Sequence, residues 1–83
     1  MTVEKIKKAR KRAIGSKQTM KAIEKGIATV VYLARDADEH VLRPLIDLCT
    51  SRNINLVWVD TMLVLGKACG IEVGSAAAAV IEE

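Results

Sequence analysis

Seven residues in one short stretch carry the chemistry that stands out in this chain: Gly15, Ser16, Lys17, Gln18, Lys21, Lys25 and Gly26. Between the two glycines the pattern is helical. Met20, Ile23 and Ile27 recur at i, i+3 and i+7, which predicts one inward face. Lys17, Gln18, Lys21 and Lys25 fall on the other side. Ser16 stands where a capping hydroxyl accepts from the unpaired N–H groups of the first turn, and Gly26 suits the left-handed residue that closes a helix. The amino end of such a helix presents free N–H donors and a partial positive charge, here with two lysines beside it. The combination is a small anion-binding platform with one amide, that of Gln18, able to read a base edge.

Other reactive residue types do not assemble. His40 follows Glu39 at a predicted helix start with no cysteine near it in sequence, and reads as an exposed residue of the cap rather than a base. No Cys or His pair has metal-ligand spacing. The segment Gly66-Lys67-Ala68-Cys69-Gly70 sets a lysine between glycines but lacks the spacing and the downstream Ser/Thr of a phosphate-binding P-loop. Asp36 and Asp38 read as capping carboxylates. The expectation is a binding protein rather than an enzyme, with no metal and no cofactor.

Composition narrows what is bound. With 83 residues, 51% of them hydrophobic, the chain is expected to form one domain, residues 1–83, with a core that must be aliphatic because phenylalanine is absent. No apolar run is long enough to span a bilayer, and the polar, basic start is not a secretory signal, so a cytoplasmic protein with reduced, buried Cys49 and Cys69 is expected. The net charge of +3 conceals an asymmetry. Residues 1–25 hold nine lysines and arginines against Glu4 and Glu24, a balance of +7, whereas residues 26–83 sum to −4. One end of the molecule is thus suited to a polyanion.

The elements that must position the platform follow in order. Residues 3–13 read as a helix with a thin stripe of Val3, Ile6, Ala9 and Ala13, capped by Thr2, and Ile14 as a short strand or extended link into Gly15. Residues 29–34 are β-branched and apolar, a strand covered on both faces. Asp38 is placed to cap a helix running from residue 39 or 40 to residue 51, with Val41, Leu42, Leu45, Ile46, Leu48 and Cys49 inward and Pro44 near its first turn or bending it. Residues 54–59 form a second strand apolar on both faces. Asp60 or Thr61 caps a short helix over 62–67, Gly66 and Gly70 bracket a tight connection, and residues 71–74 form an exposed loop. The alanine-rich stretch 75–81 is helical by propensity alone. Alternation of this kind predicts a buried sheet between helices.

Among polyanions, single strands bound by stacking need exposed aromatics, and Tyr32 and Trp58 both lie in apolar strands that favour core packing. The DNA major groove is usually read by a helix richer in Arg, Asn or Gln than residues 16–25 are. A folded RNA held by shape through its phosphates fits better.

The same residues resemble a known family. Gly15-Ser16-Lys17-Gln18-Thr19-Met20-Lys21, then Gly26-Ile27-Ala28, Ala34-Arg35-Asp36-Ala37-Asp38 and Leu65-Gly66-Lys67-Ala68-Cys69-Gly70-Ile71-Glu72-Val73 resemble the signatures of the kink-turn-binding ribosomal proteins, the L-seven-Ae and L-thirty-e superfamily, in its small bacterial, YbxF-like branch. The resemblance implies a three-layer α/β/α sandwich with a mixed four-stranded sheet, and turns residues 76–81 into its last strand. It implies RNA contact by Gly15, Ser16, Lys17, Gln18, Lys21, Lys25 and Arg35, with Ile71, Glu72 and Val73 covering a flipped-out nucleotide. Many relatives carry Asn-Glu where this chain has Lys17-Gln18, so a cation replaces a two-way hydrogen-bonder and an amide replaces a charged acceptor. The implied partner is ribosomal RNA or a riboswitch or leader RNA containing a kink-turn, with no DNA, no membrane, a monomeric protein, and a place on or near the ribosome. The alternative is a protein-interaction adaptor on the same fold.

Overall fold

The computed structural model describes residues 3–82, and in it helix and strand alternate along the chain. The elements are α1 (Glu4–Lys8), β1 (Lys11–Ile14), α2 (Ser16–Glu24), β2 (Val30–Ala34), α3 (Glu39–Ser51), β3 (Asn55–Val59), α4 (Met62–Ala68) and β4 (Ala77–Glu82). The strands form one mixed sheet in the order β1-β4-β2-β3. β2 and β3 are parallel, and β4 is antiparallel to both β1 and β2. Because successive strand side chains point to opposite faces, Val30, Tyr32 and Ala34 share one core with Ile6 and Leu65, while Val31 and Leu33 share the other with Ile23 and Leu45. Helices α1 and α4 therefore cover one face and α2 and α3 the other. This is the α/β/α sandwich with the mixed sheet that the resemblance implied.

The alanine-rich tail is a strand for a packing reason. β4 lies inside the sheet with helices on both faces, and Ala77, Ala78, Ala79 and Val80 are all fully buried. Small side chains let α2 approach the sheet closely, so tertiary context overrides helix propensity.

Several expectations are corrected. Only Glu4–Lys8 of residues 3–13 are helical, and the Thr2 cap lies outside the described residues. Ala9 is extended, the Arg10 N–H donates to the Glu82 carbonyl at 2.8 Å, and residues 11–14 pair with the tail. The Arg12 guanidinium turns back to donate to the carbonyls of Ile6 (2.8 Å) and Lys7 (3.2 Å), closing the short helix. β3 is an edge strand and only half-buried, Trp58 included, so it is not covered on both faces. In α3, capped by Asp38 accepting from the His40 N–H at 2.8 Å, Pro44 sits in the second turn rather than the first. It is exposed there, and the carbonyl it leaves unbonded belongs to the exposed His40. Leu42, Leu45 and Cys49 are fully buried, whereas Val41, Ile46 and Leu48 are only partly so. Cys49 and Cys69 are free and lie on opposite faces of the sheet, which keeps them apart.

Candidate nucleic-acid interface

Helix α2 begins one residue earlier than a Ser16 cap would have it. Gly15 is the cap residue, at φ 94°, a backbone conformation that glycine adopts without strain. Its N–H donates to the Ala77 carbonyl at 2.8 Å, and its own carbonyl accepts from the Thr19 N–H at 3.0 Å. Ser16 is already inside the helix and makes no capping bond, so the opening turn of α2 carries no side-chain cap. The donors expected to meet an anion are thus left to solvent. At the other end Gly26, at φ 73°, closes the helix as expected. The Arg52 guanidinium, reaching over from the end of α3, donates to the carbonyls of Ile23 and Glu24, each at 3.2 Å. That bond ties down the carboxyl end of α2 and so fixes where its amino end points.

The inward face differs from the one read off the spacing. Thr19, Ala22 and Ile23 are buried, Met20 is partly buried, and Ile27 is 43% exposed. Helical periodicity does not carry across Gly26, so Ile27 leaves the face it was assigned to. Lys17, Gln18, Lys21 and Lys25 are all exposed, on the outward side.

The loop after α4 is held from beneath. The Ile71 N–H donates to the Gly66 carbonyl at 3.0 Å and the Ser75 N–H to the Met62 carbonyl at 2.9 Å. Gly66 is the fifth residue of α4 rather than part of a tight connection, and it lies buried against the backbone of the loop. A Cβ there would overlap the Val73 carbonyl oxygen. Of the loop side chains, Val73 is 68% exposed, Glu72 is exposed, and Ile71 is half-buried.

Strand β4 brings loop and helix to the same end of the sheet. Its first carbonyl, that of Ala77, accepts from Gly15, and the preceding carbonyl, that of Ala76, accepts from the Ala34 N–H at 3.0 Å. The Ser75 hydroxyl donates to Ala77 at 2.7 Å. The chain leaving the loop therefore passes between the start of α2 on one side and the end of β2, with Arg35, on the other. Gly15, Ser16, Lys17, Gln18, Arg35, Ile71, Glu72 and Val73 share that end. Lys21 lies one turn further along α2. Lys25 is at the far end of the helix, about 12 Å from Lys17 along its axis, and is the predicted site residue least joined to the others.

Two grooves flank α2. One, of about 380 Å³ on the side of β1, is lined by Arg12, Gln18, Lys21 and Lys25 and by no carboxylate. The other, of about 480 Å³ between α2 and α3, sets His40 beside Lys17, Lys21 and Glu24 over a floor that includes Met20 and Leu45. His40 and Arg12 are thus neighbours of the candidate site that sequence reading did not place there. Nothing in the spacing gave His40 away, whereas the edge-strand position of Arg12 was hidden by the helical reading of residues 3–13. Among the described residues no group of His, Cys, Asp or Glu gathers as a metal site, and no helix is long and apolar enough to cross a membrane.

A sheet between two helical layers, with a lysine-flanked, uncapped helix start beside the loop of Ile71 and Val73, defines the class: a small α/β/α protein with exposed cations at one end. The chain belongs to the ribosomal protein L7Ae/L30e/S12e/Gadd45 family, whose model matches residues 1–83. It is 46% identical over 69 residues to the RNA-binding protein TTE2299 of Caldanaerobacter subterraneus, covering 83% of this chain and 84% of that one. It is 42% identical over 81 residues to the RNA-binding protein YbxF of Geobacillus stearothermophilus, covering 98% and 99%. Its fold is similar to that of the Giardia lamblia 15.5kD RNA binding protein, with a TM-score of 0.86 at 23% identity over 99% of this chain and 69% of the other.

Proposed function

We propose that this protein is a non-enzymatic RNA-binding protein that holds a kink-turn, with its sheared G·A pairs, in the bent form. The observation that carries the reading is the juxtaposition made by β4, which sets the uncapped start of α2 beside the loop bearing Ile71 and Val73. In this reading the α2 amino end enters the opened groove, Gln18 accepts from guanine edges, and Lys17 and Lys21 meet phosphates. Val73, with Ile71 behind it, packs on the extruded nucleotide, and Glu72 orients the loop. The protein acts as a monomer in the cytoplasm on ribosomal RNA or on a riboswitch or leader RNA. The RNA-binding relatives YbxF and TTE2299 support an RNA partner.

The test is titration of a kink-turn RNA against the same RNA with Watson–Crick pairs in place of its G·A pairs. The bent RNA binds at least about tenfold more tightly, a difference of roughly 1.4 kcal/mol. A few phosphate contacts give a log–log salt slope of roughly −2 to −5. Equal affinity for the two RNAs refutes recognition by shape.

A further inference from the structure

The end of the sheet that carries the α2 start has a second arrangement, on the side of β3. Trp58, the one tryptophan of the chain, is half-buried on that edge strand, with its inner side in the core beneath α3. The guanidinium carbon of Arg35 stands 5.8 Å from the centroid of its ring, within the range of a cation–π contact. Arg35 leaves β2 directly, and its N–H donates to the Val59 carbonyl at 2.8 Å, which pins its backbone to the end of β3. Its side chain is 61% exposed, and the carboxylate paired with it among the described residues, that of Asp60, is 3.8 Å away and 92% exposed. An ion pair so long and so wet holds little. The indole is thus the neighbour of note for the guanidinium, and most of the Arg35 side chain is left to solvent.

Beside this pair lies a cleft of about 400 Å³, lined by Arg35, Trp58, Leu42, Ile46, Glu39 and Arg43, which is the size of a small-molecule site. Arg43 is tied to Glu39 at 2.7 Å, and that bond and charge raise the Arg43 pKa, so it stays a cation. Two arginines here have three carboxylates about them, Glu39 and Asp47 beside Arg43 and Asp60 beside Arg35. With no surplus of positive charge, a phosphate gains little, whereas a flat, uncharged ring gains a face to lie on.

We propose that the Arg35–Trp58 pair is a stacking platform for one unpaired base of the bound RNA, the base lying on the solvent face of the Arg35 guanidinium with its edge toward Glu39 and Arg43. Bases stack on guanidinium planes as they do on aromatic rings. The platform rests on the RNA-binding reading above and adds to it a site for a nucleotide outside the kink, distinct from the one at Val73.

The experiment uses the full chain and three forms of one kink-turn RNA: blunt, and with a short unpaired extension at the 5′ or the 3′ end. One extension strengthens binding by about 5- to 100-fold, the scale of a single stacked base. It quenches Trp58 fluorescence, and the gain is nearly independent of salt. Arg35→Lys keeps the charge but loses the plane. The ratio of extended to blunt affinity, taken within each variant so that general losses divide out, falls to about one. The proposal is overturned if neither extension helps, if the gain survives Arg35→Lys, or if it fades with salt as a phosphate contact does. A straight duplex serves as the control that separates the two readings. If it binds as well as the bent RNA while the extension gain persists, recognition of the kink fails and the platform stands. If the bent RNA is selected and no extension helps, the reverse holds.

Discussion

Gly66 is where the scaffold and the proposed RNA surface meet, and Gly66→Ala tests whether one supports the other. In an exposed helix the change gains roughly 1 kcal/mol from helix propensity. Here the added methyl overlaps the Val73 carbonyl oxygen and comes within 3.1 Å of the Val73 carbonyl carbon and 3.2 Å of the Gly74 Cα. All three are backbone atoms, so no rotamer change relieves the clash and the loop itself must move. Overpacking of this kind costs about 1–3 kcal/mol. Since a rigid obstacle places the cost in the upper half of that range, the net loss is about 1–2 kcal/mol after the propensity gain. In a domain of this size that lowers the Tm by roughly 4–16 °C. Thermal and denaturant unfolding read the stability, and titration with kink-turn RNA reads the surface, where displacement of Val73 weakens binding about threefold or more, near 0.7 kcal/mol. Val73→Ala is the paired control: it removes an exposed side chain, so stability stays within about 0.5 kcal/mol while affinity still falls. A Gly66→Ala protein as stable as the parent, or more so, refutes the packing of the loop on α4. A destabilised protein with unaltered RNA affinity refutes the loop's part in binding.

Three further outcomes are expected. Lys21→Ala weakens kink-turn binding by about 1–3 kcal/mol if the lysine reads a base edge, and lowers the salt slope by about one if it holds a phosphate; a variant that binds like the parent at every salt concentration removes Lys21 from the interface. The Thr19 hydroxyl is buried with no hydrogen-bond partner among the described residues, so Thr19→Val, equal in shape, raises stability by about 1 kcal/mol, whereas a fall in Tm shows that the hydroxyl is satisfied. Burial pushes the thiols of both Cys49 and Cys69 up. Above the ordinary thiol range, about pH 8.5, the unfolded chain releases protons that the folded chain retains, so this contribution is whole at neutral pH and is lost as pH rises through the folded values. Unfolding midpoints in Cys49→Ala and Cys69→Ala proteins show a shallower alkaline fall than in the parent, and parallel curves refute the assignment.

What could be read from the sequence was what local chemistry decides. Gly26 ends α2 and Asp38 caps α3 because each acts within a few residues of its own position. The run 30–34 is apolar at every position because both of its faces are covered, a state that leaves its mark residue by residue. The errors arise where a distant segment decides. Lysines, arginines and alanine over residues 3–13 favour a helix, yet residues 11–14 find partners in the tail, some seventy residues away. Trp58 sits in as apolar a run as Tyr32 does, but only the strand order places Tyr32 in the middle of the sheet and Trp58 at its edge, where the core covers one side of it and an arginine lies near its ring. Ser16 has the residue type of a cap; what displaces it is the Ala77 carbonyl, which takes the Gly15 N–H and starts the helix there.

The candidate site depends most on the element least legible from composition. Residues 15–18 and residues 71–73 lie far apart in the chain, and neither segment carries a mark that points to the other. Their meeting follows from β4 and the residues leading into it: Ala77 accepts from Gly15, Ala76 just before the strand accepts from Ala34, and Ser75 joins the loop to both. An alanine strand is suited to that place because it lies between two helical layers and has no bulk to hold them off. The poverty of side chain that makes its secondary structure ambiguous in isolation is what allows α2 to sit close enough for Gly15 to bond to it. On the proposed reading, the residues at this surface owe their types to the RNA and their positions to the strand beneath them. A substitution that enlarges Ala77 or Ala79 acts on the site through the seat of α2, with Lys17 and Gln18 left intact but displaced.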